Sequence, residues 1–266
     1  MGTNREFLEG VRTTLARVNL FFLHGFLGKS SDWALVKSHL SLKDGTRVFS
    51  PDYFKEPQLG PQHDFKTWAK NFNAWVEGLG CAKEKNILVG YSLGGRLALH
   101  AFETHPELWS KLVVISSNPG FNDNLEIFDP NNIPRKERWL NDSFWAEEFL
   151  KSPWDSVLRS WNAQPVFGQG DKEPLRIEKE YSRELLSLAL TQWSLAQQKN
   201  FRSLLMKSSG QVALYVGEQD EKYMQMATDL KESIPQLRIE VIEEASHRVL
   251  FDNPKALATK LTRFIF

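Results

Sequence analysis

One stretch decides the fold of this chain: Ile87-Leu88-Val89-Gly90-Tyr91-Ser92-Leu93-Gly94-Gly95-Arg96-Leu97-Ala98-Leu99. A short apolar run typical of a buried parallel strand enters Gly-x-Ser-x-Gly and continues into a helical pattern. Such a turn holds its serine in a strained conformation with the hydroxyl exposed, and the glycines keep Cβ atoms out of the turn. The sequence therefore predicts a nucleophile elbow at Ser92. The alternative is a glycine-rich turn without chemistry, which the flanking strand and helix disfavour.

Buried strands and helical segments alternate on both sides of the elbow. The other runs with strand character are 17–23, 46–50, 111–117, 211–217 and 238–242. Amphipathic patterns at 65–79 and 221–233 predict helices between them. Strands that alternate with helices form right-handed crossovers and a mostly parallel sheet flanked by helices.

The strand signal disappears from 121 to 205, where tryptophan-rich helical patterns replace it. This region lies between two predicted strands of the sheet. An insertion of this kind is typical of a cap over the carboxyl ends of the strands, where ligands bind in open α/β sheets. We therefore predict an α/β core from residues 1–120 and 206–266, with a helical cap at 121–205.

Composition narrows the possible partners of the chain. Its 266 residues are 41% hydrophobic, and 33 basic residues balance 33 acidic ones. We therefore expect no nucleic-acid partner and no membrane partner. One cysteine, an N-terminus without a signal peptide and no apolar run of membrane-spanning length favour a cytoplasmic protein. The absence of a metal-ligand cluster or phosphate loop predicts no metal and no cofactor. A monomer and a homodimer both stay open.

A serine at an elbow needs a base, and the base needs an orienting acid. His247 is the histidine that follows Ser92 and lies just beyond the last predicted strand. Asp220 is preferred as the acid over Glu218 and Glu221, because it lies farthest along its loop before a helix begins. Asp220 can also serve as the N-cap of that helix, and the two roles are compatible.

Backbone amides are expected to form an oxyanion hole at the elbow. The donors predicted are Leu93, directly after the serine, and Phe26 in the turn after the first strand; His24 is expected to brace that turn. Arg96 follows Ser92 by four residues, on the same face of the helix, and its guanidinium can reach an anion above the serine. The alternative for Arg96 is a stem packed on the sheet with its head in solvent.

Further motifs occur in order over nearly the whole chain. They are His24-Gly25-Phe26-Leu27-Gly28, Ser117-Asn118-Pro119-Gly120-Phe121, Trp161-Asn162-Ala163-Gln164-Pro165-Val166-Phe167, and Gly217-Glu218-Gln219-Asp220-Glu221-Lys222-Tyr223. With the elbow, they make the chain resemble the α/β-hydrolase superfamily. More narrowly, it resembles the 2-succinyl-6-hydroxy-2,4-cyclohexadiene-1-carboxylate synthases of menaquinone biosynthesis.

This resemblance implies an α/β-hydrolase fold whose cap is inserted after the sixth strand of the fold. It also implies a lyase that eliminates pyruvate from 2-succinyl-5-enolpyruvyl-6-hydroxy-3-cyclohexene-1-carboxylate. Ser92, Asp220 and His247 would act together as the base that removes a proton α to the succinyl ketone. The resulting enolate oxygen would bind to the amides of Phe26 and Leu93.

The substrate of that family is a small polycarboxylate, so arginines are expected in the pocket. The resemblance implies that Tyr91, Arg96, Arg138 and Trp161 bind it. Two departures stand out. Ser246 replaces the usual glycine before the histidine, and the further cap arginine of related enzymes is missing near 188–190. The candidates to replace that arginine are Arg176, Arg183 and Arg202.

Two other functions remain open on the sequence. A serine hydrolase of a small carboxylic ester or C–C bond would use the same three residues and the same hole. A non-catalytic binding protein on this fold would be expected to lack at least one of the three, and all are present.

Overall fold

A computed structural model describes residues 17–123, 129, 131–168, 172 and 174–266. Its centre is a six-stranded sheet in the order β2-β1-β3-β4-β5-β6, in which all neighbouring strands pair parallel. The strands are β1 (Val18–Leu23), β2 (Arg47–Phe49), β3 (Lys85–Tyr91), β4 (Lys111–Ile115), β5 (Val212–Gly217) and β6 (Arg238–Ile242). Each predicted strand is present, and the α/β fold class is confirmed.

Helices cover both faces of the sheet. They are α1 (Ala34–Ser38), α2 (Phe65–Val76), α3 (Leu93–Thr104), α4 (Ile133–Lys151), α5 (Trp154–Asn162), α6 (Arg183–Gln192), α7 (Arg202–Lys207), α8 (Glu221–Ser233), α9 (Val249–Asp252) and α10 (Pro254–Ile265). The predicted helix at 65–79 is an α-helix as far as Val76 and continues as a π-helical turn over Glu77–Cys81, in which Gly80 leaves the helical conformation with φ 76°. None of these described helices is long and apolar enough to cross a membrane.

The core consists of one apolar layer on each side of the sheet. Successive residues of β1 point to opposite faces, so Phe21 packs in the layer of Phe72 while Phe22 packs in the layer of Trp33. Both phenylalanines are fully buried. Each such side chain contributes roughly 1.5–3 kcal/mol on burial. The two layers hold the carboxyl ends of the strands in fixed positions beneath the site.

The predicted helical insertion lies between β4 and β5, where the described residues include α4 to α7. Its own apolar cluster contains Trp145, Phe149 and Leu186, and Leu27 of the sheet region packs into it. Among the described residues the insertion follows the fourth strand, because the described sheet begins at Val18 and has three strands before β4. The expected position was after the sixth strand of the fold. The domain boundaries at 120 and 206 stay a prediction.

Candidate active site

Ser92 occupies the strained turn that the sequence predicts between β3 and α3. Its backbone has φ 53° and ψ −115°, a conformation that side-chain-bearing residues rarely adopt. The Ser92 amide donates to Ile115 O at 2.9 Å. A Cβ on Gly90 would lie 2.3 Å from Gly94 O, and one on Gly94 would lie 2.4 Å from His24 O. Both glycines are therefore required for the turn to close.

His247 and Asp220 complete a hydrogen-bonded series with Ser92. The distance from Ser92 Oγ to His247 Nε2 is 3.1 Å, and His247 Nδ1 lies 2.9 Å from Asp220 Oδ2. Asp220 and His247 are 3% and 4% exposed. A carboxylate that accepts from Nδ1–H leaves Nε2 as the acceptor for the serine hydroxyl. The arrangement can therefore draw a proton from Ser92.

The second Asp220 oxygen has a structural partner. Asp220 Oδ1 accepts from the amide of Tyr223 at 3.3 Å, which makes Asp220 the N-cap of α8 as well. Glu218, the rejected candidate, instead accepts from the amide of Glu244 at 3.0 Å on the surface.

The loop that carries His247 is tied down by Ser246. The Ser246 hydroxyl and amide both donate to Asp252 Oδ2, at 2.6 and 2.8 Å. A Cβ on Gly217 would lie 2.2 Å from Ser246 O, so the end of β5 packs directly beneath this loop. The serine that replaces the family's glycine thus anchors the loop to the last residue of α9.

The turn after β1 carries Phe26, the second predicted oxyanion donor. Gly28 N donates to Gly25 O at 3.0 Å, and the Phe26 amide lies outside this hydrogen bond. His24 Nδ1 also lies 2.9 Å from Gly25 O, consistent with the expected bracing role. Leu93 is the first residue of α3, so its N–H has no acceptor within the helix. Phe26 and Leu93 line the same cavity as Ser92.

That cavity, which we name the arginine cavity, has a volume of about 90 Å³, and its walls include Ser92, Arg96, Arg138, Trp161 and Tyr223. Arg96 donates to the main-chain oxygen of Trp193, the residue that follows α6. Burial and the neighbouring charge of Arg138 lower the pKa of Arg96 to about 10, so it stays protonated at neutral pH. Because its guanidinium donates to a main-chain oxygen in the cavity wall, the alternative with the head in solvent is not observed.

Arg138 is held by an acid. Its Nε donates to Asp142 Oδ2 at 2.8 Å, and the same oxygen accepts from Ser194 Oγ at 2.7 Å. Asp142 is 2% exposed. The pair fixes the guanidinium at the wall of the arginine cavity.

A second cavity of about 70 Å³ also has Ser92 and Trp161 in its walls, together with Tyr91, Arg176 and Arg248. Arg176 forms a bidentate ion pair with Asp32, at 2.8 and 2.7 Å.

Arg248 extends the second cavity from the loop of the histidine. It donates to Asn162 Oδ1 at 2.7 Å, and its guanidinium lies 4.6 Å from the centre of the Phe167 ring. The pKa of Tyr91 is raised by burial, so its hydroxyl is neutral there.

A sequence model of the alpha/beta hydrolase family matches residues 20–260. The chain belongs to the alpha/beta hydrolase family. The 2-succinyl-6-hydroxy-2,4-cyclohexadiene-1-carboxylate synthase of Enterobacter sp. (strain 638) is 31% identical over 262 residues, which cover 92% of this chain and 91% of that relative. A putative synthase of the same name from Bacillus subtilis (strain 168) is 26% identical and covers 100% of this chain and 99% of its own.

Solved structures show the same fold. The structure of MenH from S. aureus has a TM-score of 0.75 at 21% identity, and covers 93% of this chain and 92% of its own. A carboxylesterase from Nitrososphaera gargenis has a TM-score of 0.70 at 16% identity, with coverage of 93% and 89%. Together with the synthase relatives, the family match makes this chain an enzyme on an alpha/beta hydrolase fold.

In this alpha/beta hydrolase enzyme, the four residues expected to bind substrate line the two cavities. Tyr91 lines the second cavity, Arg96 and Arg138 line the arginine cavity, and Trp161 lines both. Their roles stay predictions. Of the three candidates for the missing cap arginine, Arg176 lines a cavity beside the serine.

The other two arginines have different partners. Arg183 pairs with Glu178, and Arg202 donates to Gly120 O. Arg248 and Tyr223 were not predicted as site residues, although each lies close in sequence to a member of the Ser-His-Asp series.

Proposed function

We propose that this chain is a 2-succinyl-6-hydroxy-2,4-cyclohexadiene-1-carboxylate synthase. The observation that carries the proposal is the position of the half-buried Ser92, which is hydrogen-bonded to the buried His247 and Asp220 and opens into a cavity walled by Arg96 and Arg138. A proton-abstracting group thus lies beside two guanidinium groups that match a polycarboxylate substrate. Relatives named 2-succinyl-6-hydroxy-2,4-cyclohexadiene-1-carboxylate synthase support this reaction.

In the proposed reaction the three residues act as one base. His247 takes the Ser92 proton, and the serine oxygen removes the proton α to the succinyl ketone of 2-succinyl-5-enolpyruvyl-6-hydroxy-3-cyclohexene-1-carboxylate. The electron pair of that C–H bond moves to the ketone oxygen and forms an enolate. General-base catalysis of this kind contributes about 10² to 10⁴ in rate.

The amides of Phe26 and Leu93 would stabilise the enolate oxygen. Each oxyanion donor contributes about 10² to 10³ in rate in comparable sites. Collapse of the enolate restores the ketone and forms a new ring double bond, the existing ring double bond shifts into conjugation with it, and the C–O bond to the enolpyruvyl group breaks. Enolpyruvate recovers a proton and leaves as pyruvate, so no covalent acyl intermediate forms.

The helical segment at 121–205 would act as the cap, and it contributes Arg138 and Trp161 to the site. Guanidinium groups bind carboxylates through charge-assisted hydrogen bonds in a fixed geometry. Because Arg96 lies on the core helix and Arg138 lies on α4, the substrate would bridge the core and the cap. This would hold the ketone against the amides of Phe26 and Leu93.

The decisive experiment compares pyruvate release from freshly generated substrate with the cleavage of a nitrophenyl ester. We expect rapid pyruvate release, a loss of about 10³-fold or more in Ser92→Ala, and a raised KM in Arg96→Ala. Arg159→Ala is the matched control, because Arg159 donates to Ser156 Oγ on an exposed helix surface. Ester cleavage that needs Ser92, without pyruvate above background, would overturn the proposal in favour of a hydrolase.

A further inference from the structure

Tyr223 lies where the catalytic series and the arginine cavity meet. Its amide donates to Asp220 Oδ1, and its ring centre lies 5.0 Å from that of His247. Its side chain also lines the arginine cavity with Arg96 and Arg138. The first turn of α8 and the imidazole therefore hold the phenol ring in one place.

The hydroxyl groups of the five tyrosines divide into two kinds. Those of Tyr53, Tyr181 and Tyr215 donate to main-chain carbonyls, and the last two do so at 2.9 and 3.0 Å. Within the described part of the chain, the hydroxyls of Tyr91 and Tyr223 donate to no protein atom, and these two tyrosines line the cavities beside Ser92. Tyr223 thus presents a hydroxyl group that no residue described by the structure accepts from.

The arginine cavity is rich in hydrogen-bond donors. Burial raises the pKa of Tyr223, and the charge of Arg138 opposes the shift without cancelling it, so the phenol keeps its proton. The acid in the wall, Asp142, already accepts from Arg138 and Ser194 through one oxygen. A neutral phenol beside two guanidinium groups matches an anionic oxygen of a ligand.

We propose that the Tyr223 hydroxyl donates a hydrogen bond to a substrate carboxylate bound by Arg96 and Arg138. Tyr223 is thereby a specificity-determining residue of this enzyme. The inference rests on the proposed function for the identity of the substrate. It rests on the cavity alone for the chemical class of the group that is bound, a carboxylate. Tyr223 acts in binding and takes no proton.

The test uses Tyr223→Phe, which keeps the ring beside His247 and removes only the hydroxyl. Tyr215→Phe is the matched control, because its hydroxyl donates to Lys260 O away from the cavities. The probe is 2-(3-carboxypropanoyl)benzoate, a stable aromatic dicarboxylate, titrated against the fluorescence of tryptophans such as Trp161 and Trp193 in the cavity wall. We expect Tyr223→Phe to raise the Kd about tenfold or more, because the loss of a hydrogen bond to a charged group weakens binding by a factor of this size. Tyr215→Phe should leave the Kd unchanged.

Two mono-methyl esters of the probe identify the contact. For one ester, Tyr223→Phe and the wild type should bind equally, because the carboxylate that receives the hydrogen bond is gone. In pyruvate release, Tyr223→Phe should raise KM by a similar factor and change kcat less than twofold.

An unchanged Kd in Tyr223→Phe, a wild type that does not bind the probe, or a full difference retained with both esters would each overturn the inference. Absence of pyruvate release in the wild type would overturn the proposed function alone, since the binding comparison does not depend on turnover.

Discussion

Asp220→Asn is the substitution that tests the Ser-His-Asp series most directly. Asparagine keeps an oxygen that can accept from the Tyr223 amide, and it is as good an N-cap as aspartate. At the position of Oδ2, however, its amide nitrogen would face His247 Nδ1–H, so two donors would meet. The imidazole avoids this by taking the other tautomer, with its proton on Nε2 and pointing at Ser92.

In that tautomer His247 can no longer accept the serine proton. A loss of this kind costs about 10³ to 10⁴ in kcat, which corresponds to about 4 to 5.5 kcal/mol in the activation barrier. The free energy of unfolding should change by only a few tenths of a kcal/mol, because the N-cap survives. The expected outcome is a folded protein that binds substrate but releases pyruvate very slowly.

The assay is steady-state pyruvate release, with thermal unfolding measured on the same samples. Glu218→Gln is the control, since Glu218 lies on the same loop but contacts the amide of Glu244 instead of the histidine. It should keep kcat within twofold of the wild type. A decrease of less than tenfold in folded Asp220→Asn, or an equal decrease in both variants, would refute the assigned roles of Asp220 and His247.

Three further predictions follow from burial and packing. Arg138→Met should raise KM about tenfold or more. It should also lower the free energy of unfolding by about 1–3 kcal/mol, because the Asp142 carboxylate stays buried without its cation. Adding Asp142→Asn should restore the melting temperature but not KM. Burial lowers the pKa of His100, so at acidic pH the unfolded chain binds a proton that the native state does not bind. As the pH decreases below about 6.5, the free energy of unfolding should therefore decrease by up to about 1.4 kcal/mol per pH unit. His100→Phe should flatten that dependence in denaturant titrations, and an unchanged slope would contradict it. Gly94→Ala should lower the free energy of unfolding by about 2 kcal/mol or more and abolish most of the activity, because the new Cβ would lie 2.4 Å from carbonyl oxygens at the end of β1. Gly78→Ala should be tolerated, because its Cβ would meet no atom within 4 Å.

The features that the sequence predicted well are those with local physical causes. The elbow was recognised because a turn this tight requires glycines on both sides of Ser92, and the structure shows the strained φ there. The predicted helix at 221–233 and strand at 238–242 have the observed bounds, and the helix begins directly after its N-cap residue, Asp220. His247 and Asp220 were found from their order after the strands, since parallel strands place their following loops at one edge of the sheet.

What the sequence by itself determined about this protein is thus the α/β fold, the helical character of the insertion and the choice of Ser92, His247 and Asp220, which the structure brings together. Only the tertiary structure decided what surrounds them. Arg138 and Tyr223 share a cavity although 85 residues separate 138 from 223, and the pairing of Arg176 with Asp32 crosses from the insertion to the core. No local periodicity encodes such neighbours, because they depend on how helices of the insertion pack over the sheet. The physical reason is that a side chain's partners across a cavity are fixed by packing in three dimensions, whereas strands, turns and helix caps are fixed by residues close in sequence.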